Sequence, residues 1–116
     1  ISFEQLSGGH AYHKAFTKRA IQPLEKVFGS NPSTLYEASK PFKAEKMDYG
    51  DCSVKVYSLP LVPLIIVVWG ASSEFSASAN ILFDSSINNY LTTEQVAMLS
   101  ELTTSRLKLA YEIVKA

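Results

Sequence analysis

"LPLVPLIIVVWGASSEFSASANILFD", residues 59–84, decides the fold. Pro60 and Pro63 lead into the apolar run Leu64–Trp69, a loop holding the single acid Glu74 follows, and a second apolar stretch ends at Asp84. Leu59 to Trp69 is the most apolar segment, yet it is far short of the roughly 20 residues that span a bilayer. "LIIVVW" is rich in branched residues and apolar at every position, the pattern of a strand covered on both faces in the middle of a sheet. Ala77, Ala79, Ile81 and Phe83 alternate with Ser78, Asn80 and Asp84, which predicts another strand. Upstream, Cys52, Val54 and Val56 alternate with Ser53 and Lys55, a half-buried strand with Cys52 on its inward side. "LPLVP" reads as the connection between these strands, because proline cannot donate to a ladder. A weaker strand is expected within residues 43–49. Connections this short favour antiparallel neighbours, since a parallel crossover needs a dozen residues or more.

Helices flank this sheet in the sequence. "IQPLEKVFG" places Ile21, Leu24, Val27 and Phe28 on one helical face, with Pro23 in the first turn and Gly29 as the stop. "SNPSTLYEASKP" restarts at once, with Asn31 as N-cap, Pro32 at the first helical position and Pro41 at the end. At the C-terminus, Thr92 and Gln95 form a capping box, and Leu91 is placed to staple onto Val96. Behind them Leu99, Thr103, Leu107, Ala110 and Val114 recur at helical steps, flanked by Met98, Leu102, Leu109 and Ile113. Residues 1–20, with "SGGHAYHKAF", show no sustained period and read as loop or irregular turn. The expectation is one α+β domain over residues 1–116: a small antiparallel sheet, two short N-terminal helices and a long C-terminal helix packed on it.

The totals restrict the functions open to such a chain. Its 116 residues suit a single domain, and 47% apolar with 19% charged residues is globular composition. Eleven basic and eleven acidic residues cancel, which removes the broad basic field behind nucleic-acid or anionic-membrane binding. Cys52 is the only cysteine, so no internal disulfide and no four-cysteine cage can form. A reducing cytoplasm is the expected compartment. No secretory signal is read at the start, and because Ile1 is not a natural initiator, upstream sequence can be missing.

Several side chains are candidates for chemistry. His10 and His13 stand three apart behind two glycines, a spacing that could bring both imidazoles to one metal or offer one to a tetrapyrrole as axial ligand. H-x-x-H without a third ligand is also a common accident, and two surface histidines are the plain alternative. Trp69 reads as a core anchor or as one wall of a pocket at the strand ends. Glu74 and Asp84 flank the last strand and could act as an acid–base pair, although Asp84 before Ser85 and Ser86 also suits a turn. No Walker loop, G-x-G-x-x-G, G-x-S-x-G or H-E-x-x-H motif occurs.

Taken in order, "FGSNPSTLYEASK", "DYGDCSVKVYSLPLVPLIIVVW", "EFSASANILFDSS" and "YLTTEQVAMLSELTTSRL" resemble an uncharacterised bacterial and archaeal family common in anaerobes, a domain of unknown function. The resemblance rests on Gly50, Asp51, Pro60, Pro63, Trp69, Glu74, Phe75, Leu82, Phe83, Asp84, Tyr90 and Leu91. Where the family pattern has an acidic D-E-E-F-P loop, this chain reads Ala71–Ser76 and keeps only Glu74 of the acids. Some relatives are joined to iron–sulfur domains similar to those of corrinoid proteins, which implies a setting in anaerobic cofactor or one-carbon metabolism.

Three functional expectations follow. The first is a non-catalytic accessory module that binds a partner protein or a cofactor, with haem or a corrinoid as first candidate. Its binding residues would be His10, His13, Trp69, Glu74, Phe75 and Asp84, with His10 and His13 as metal donors. The second is a small hydrolase or lyase using Glu74 and Asp84. The third is a dimeric interaction module without ligand, docking through the flank formed by Met98, Leu102, Leu109 and Ile113.

Overall fold

The structure is a computed structural model that describes residues 1–115. Four strands, β1 (Glu45–Met47), β2 (Cys52–Leu59), β3 (Val62–Trp69) and β4 (Ser78–Phe83), form an antiparallel sheet in the order of the sequence. The helices are α1 (Gly9–Phe16), α2 (Gln22–Phe28), α3 (Ser33–Ser39) and the 23-residue α4 (Thr93–Lys115). The expected α+β class and antiparallel sheet are both present, and no helix among the described residues is long and apolar enough to cross a membrane.

β3 is internal, as its composition requires. Cys52 pairs with Val68, Val54 with Ile66 and Val56 with Leu64, while Ile66 and Val68 also pair with Ile81 and Ala79 of β4. Period-two alternation sends Val54, Val56, Leu64, Ile66, Val68, Ile81 and Phe83 to one face, where all are buried. The helices lie on that face. Leu24, Phe28, Leu35, Val96 and Leu107 close the core over it. The opposite face has no such cover: Ile65 and Leu82 are half-buried, and Tyr57 and Trp69 are exposed. Double-sided apolarity placed β3 in the centre of the sheet, but on its outer face only Val67 is fully buried.

Pro63 departs from the expected connection. The turn between β2 and β3 is shorter, and Pro63 lies in β3 opposite Tyr57. The β3–β4 ladder begins one residue later, at Leu64 and Phe83, so Pro63 lies beyond the end of β4. A register irregularity between Tyr57 and Leu59 marks the same place.

Both sheet edges are closed to further pairing. β1 is three residues long. Along β4, the amide of Ala79 donates to Glu25 Oε2 at 3.2 Å and that of Ile81 to Asn80 Oδ1 at 2.9 Å. The amide of Phe83 donates to the carbonyl of Ile1 at 2.7 Å.

Residues 1–20 contain more helix than expected. Gly8, at φ +68°, turns the chain into α1, and Gly9 packs so closely on the backbone of Phe3 that no Cβ would fit. α1 buries only Gly9 and Phe16, too few to print a helical period on the sequence. It runs into α2 through a π-helical turn at Thr17–Ile21, in which the amide of Gln22 reaches back to the carbonyl of Thr17. Pro23 follows directly; in a regular helix its ring would strike the carbonyl of Arg19, and the widened turn relieves that contact. The same turn keeps Phe16, Ala20, Leu24 and Phe28, four apart, facing the core.

α4 begins with the expected capping box: the amide of Thr92 donates to Gln95 Oε1 at 2.9 Å and that of Gln95 to Thr92 Oγ1 at 3.1 Å. Its buried side is unusually hydroxylated. Thr104 Oγ1 donates to the carbonyl of Ala20 at 2.7 Å, supplying a partner inside the π turn, and Ser100 Oγ donates to the carbonyl of Val96. The buried stripe is Val96, Ser100, Thr103, Thr104, Leu107 and Ala110, shifted from the expected one in that Leu99 is half-buried and Val114 exposed.

Trp69 is 42% exposed and is therefore not a core anchor. Ile66, fully buried on the covered face, is the better measure of the core. Ile66→Ala should lower stability in urea denaturation by about 2–5 kcal/mol. Trp69→Ala should fall well short of the roughly 3–5 kcal/mol of a buried aromatic. Equal losses would contradict the placement of Trp69.

Candidate functional site

Three segments distant in sequence meet at the end of the sheet where β3 terminates. Gly50, at φ +57°, turns the chain between β1 and β2, and a Cβ there would lie 2.8 Å from Val67 Cγ1 and 3.2 Å from the indole of Trp69. This close approach of backbone to side chain explains how Val67, on the otherwise open face, is 1% exposed. Asp51 then ties the turn to the end of β3: its amide donates to the carbonyl of Val68 at 3.0 Å, and its Oδ2 accepts from the amide of Gly70 at 2.6 Å. From the helical side, the carbonyl of Gly29 accepts from the amide of Ala71 at 3.0 Å, and the ring of Pro32 packs on Gly70.

The loop from Gly70 to Ala77 is thus anchored at its start, and its tip is closed by its own bonds. Ser72 Oγ accepts from the amides of Glu74 and Phe75, at 3.3 and 3.1 Å, and the amide of Ser72 donates to the carbonyl of Phe75. The result is a fixed end surface from which Tyr49, Trp69 and Phe75 project, Phe75 with 74% of its surface exposed. It continues onto the open face of the sheet, where period-two alternation places Ile65, Leu82 and, toward the far end of the strands, Pro63 and Tyr57 on the same side as Trp69. Cross-strand neighbours Glu45 and Lys55, with Ser78 and Asn80, give this apolar centre a polar border. Asp51 has its carboxylate committed to Gly70, so the surface suits recognition by apolar and aromatic contact.

The six binding candidates fall into three places. Trp69, Glu74 and Phe75 share the loop end. His10 and His13 lie on α1, whose outward side chains are His10, Ala11, Tyr12, Lys14 and Ala15. His13 Nε2 stands 3.3 Å from Glu4 Oε1, and its Nδ1 is enclosed without a partner. Among the described residues, no group of three or more His, Cys, Asp or Glu side chains is placed to hold a metal ion. Asp84 lies at the far end of β4 from Glu74, and a six-residue strand separates them by about 20 Å. These two carboxylates cannot share a substrate atom in this arrangement.

Asp84 instead closes the turn after β4, accepting from both the amide and the hydroxyl of Ser86. Cys52 is buried on the core face, and loss of solvation raises its thiol above the ordinary value. A hollow of about 590 Å³ at the start of α4 is lined by Tyr12, Tyr90 and the capping residues. Two of its polar side chains are bonded within the chain: Asn88 Oδ1 accepts from the amide of Ser7, and Thr93 Oγ1 donates to the carbonyl of Ser7.

Tyr49, Tyr57 and Ile65 were not among the sequence candidates, and Leu82 entered only through the family pattern. The signal was present in the alternation, since each has the parity opposite to the core-facing residues of its strand or lies in the turn beside Trp69. On the flank of α4, Met98, Leu102, Leu109 and Ile113 are all exposed.

The chain belongs to the family described as Domain of unknown function (DUF3786), whose model matches residues 1–106. No curated protein and no solved structure matches it.

The turn at Asp84 generates a pH test. Hydrogen bonds from the Ser86 hydroxyl, then from its amide, hold the Asp84 carboxyl below the usual aspartate value. A carboxyl depressed in the folded state contributes stability above its unfolded pKa, and that contribution is lost as pH falls through the folded value. Ser86→Ala should move the Asp84 titration, followed by NMR of the carboxyl carbon, upward toward the ordinary range. An unchanged midpoint would remove the hydroxyl as the cause.

Proposed function

We propose that this protein is a non-catalytic accessory module that binds a partner protein through the open face of its sheet and the aromatic end beside it. One observation carries this reading: β3 has the composition of a strand covered twice, yet on its outer face only Val67 is fully buried. Pro63, Ile65 and Trp69 on β3, with Tyr57 and Leu82 on its neighbours, form an apolar centre bordered by polar side chains, the anatomy of a protein interface. The anchored loop presents Phe75 without ordering cost, because Ser72 already holds its tip. A single buried cysteine, Cys52, fits a reducing compartment such as the cytoplasm.

The cofactor reading, haem or a corrinoid at His10 or His13, has less support. His13 is engaged with Glu4, and His10 stands on the exposed side of α1 with Ala11, Tyr12 and Lys14. The hydrolase or lyase reading needs Glu74 and Asp84 together, and β4 keeps them apart.

Wild-type protein and Tyr57→Glu, each immobilised, should retain different proteins from an extract of the source cells. Tyr57 is half exposed, so its replacement should leave thermal stability within about 0.5 kcal/mol. Trp69 is the chain's only tryptophan, and its emission should shift to shorter wavelength when the purified partner covers it. If the folded variant retains the same proteins as wild type, the open face is not the binding surface.

A further inference from the structure

We propose that a second copy of this chain docks on the outer flank of α4, helix against antiparallel helix. This surface is separate from the open sheet face, and the inference stands independently of the partner proposed there. At 100° per residue, Val96, Ser100, Leu107 and Ala110 point into the core. On the outer flank, Met98, Leu102, Leu109 and Ile113 are 65%, 45%, 65% and 72% exposed. Met98, Leu102, Ser105 and Leu109 follow the alternating four and three steps of a d/a seam, and Ile113 stands one residue past its next position.

Two shallow apolar hollows continue this seam, one toward each end of α4. The first, about 430 Å³, lies among Leu59, Leu91, Met98, Leu99 and Leu102. The second, about 300 Å³, lies among Pro41, Phe42, Leu109, Ile113 and Val114. An antiparallel copy crossing near Ser105 would lay its Met98 between Leu109 and Ile113 and its Leu102 beside Leu109, so that each copy's exposed half-seam is covered by the other's.

The charges identify the occupant. Along the solvent border of the seam stand Glu94, Glu101, Lys108 and Lys115, each seven residues after the last. Seven residues return a helix to nearly the same side, so these four form one row, acidic in its first half and basic in its second. A two-fold axis between residues 104 and 105 pairs Glu94 with the second copy's Lys115, and Glu101 with its Lys108. The equivalent contacts follow by symmetry, giving four opposite-charge pairs. A parallel copy in register would set acid beside acid and base beside base. Lys115 already meets Glu112 within its own helix at 3.0 Å, and an ammonium group has donors for both carboxylates. Among the described residues, Glu101 and Lys108 form no ion pair within the chain.

Sedimentation equilibrium of the purified protein over a wide concentration range tests this, with circular dichroism to confirm that each variant is folded. Wild type should show a concentration-dependent dimer, and Tyr57→Glu should leave it unchanged. Glu101→Lys alone, and Lys108→Glu alone, each place two like-charge contacts across the axis and should weaken the dimer about tenfold at low salt. The double variant Glu101→Lys/Lys108→Glu should restore wild-type association, which only an antiparallel pairing of these residues predicts. Added salt should shrink the defect of the single variants. A wild-type chain that stays monomeric up to about 1 mM overturns the proposal. So does a dimer that the single reversals leave intact or the double reversal fails to restore.

Discussion

A strand that is apolar on both sides must be covered twice, and this chain provides helices for one side only. Everything else in the structure arranges itself around β3. Its central position follows from its lack of polar residues, and the short connections on either side force antiparallel neighbours. Period-two alternation then assigns Leu64, Ile66 and Val68 to the helical layer and Pro63, Ile65 and Trp69 to the opposite surface. Val67 shows how partial cover is achieved within the chain: the Gly50 turn folds back on it so closely that a side chain at Gly50 would collide. No comparable device covers Ile65, which is why the open face reads as a surface awaiting a partner.

The helical layer meets a second constraint, the proline at residue 23. A continuous helix from Gly9 to Phe28 would set that ring against the preceding turn. Widening the turn at Thr17–Ile21 removes the clash and keeps Phe16 and Leu24 on the same side. The interior then has to satisfy a polar group, and Thr104 of α4 supplies its hydroxyl to the carbonyl of Ala20. This gives a physical reason for a threonine in the middle of a buried helical stripe where leucine would be expected. The hydroxyl residues on that side of α4 are small, which lets the helix approach the layer beneath it.

Much of this was legible in the sequence where one period was strong. β2, β4 and the cap and length of α4 followed from alternation, from Thr92 with Gln95, and from the apolar steps behind them. α1 was not legible, because only Gly9 and Phe16 are buried and the rest of its surface meets solvent. Pro63 was read as connection because a proline disrupts a ladder, yet β4 ends before reaching it. The core-anchor reading of Trp69 failed for a different reason. An indole closing an apolar run resembles a core residue, but its parity matches Ile65 and Val67, and parity decides the side. The candidate site was legible only in part. Trp69, Glu74 and Phe75 do share one loop, whereas the distance between Glu74 and Asp84 is fixed by the length of β4, and the two histidines lie on a helix that the sequence did not announce.

A two-layer α+β domain has two outer surfaces, and solvent normally makes both polar. Here each carries an apolar centre with charged or polar borders: the sheet face around Ile65 and the α4 flank around Leu102 and Leu109. They belong to different layers, so occupancy of one does not block the other. The sequences of the two surfaces differ in a way that matches two kinds of occupant. The border of α4 is self-complementary under a two-fold axis, acid in one half and base in the other. The sheet face is aromatic, with Tyr57, Trp69 and the neighbouring Phe75, and its cross-strand neighbours Glu45 and Lys55 carry opposite charges that leave it no net sign. A surface of this second kind has no charge pattern that selects its own copy, and shape and aromatic contact would decide what binds there. Self-association through the helix would leave two such faces free on one assembly, and two sites bind a repeating or dimeric partner more tightly than either site alone.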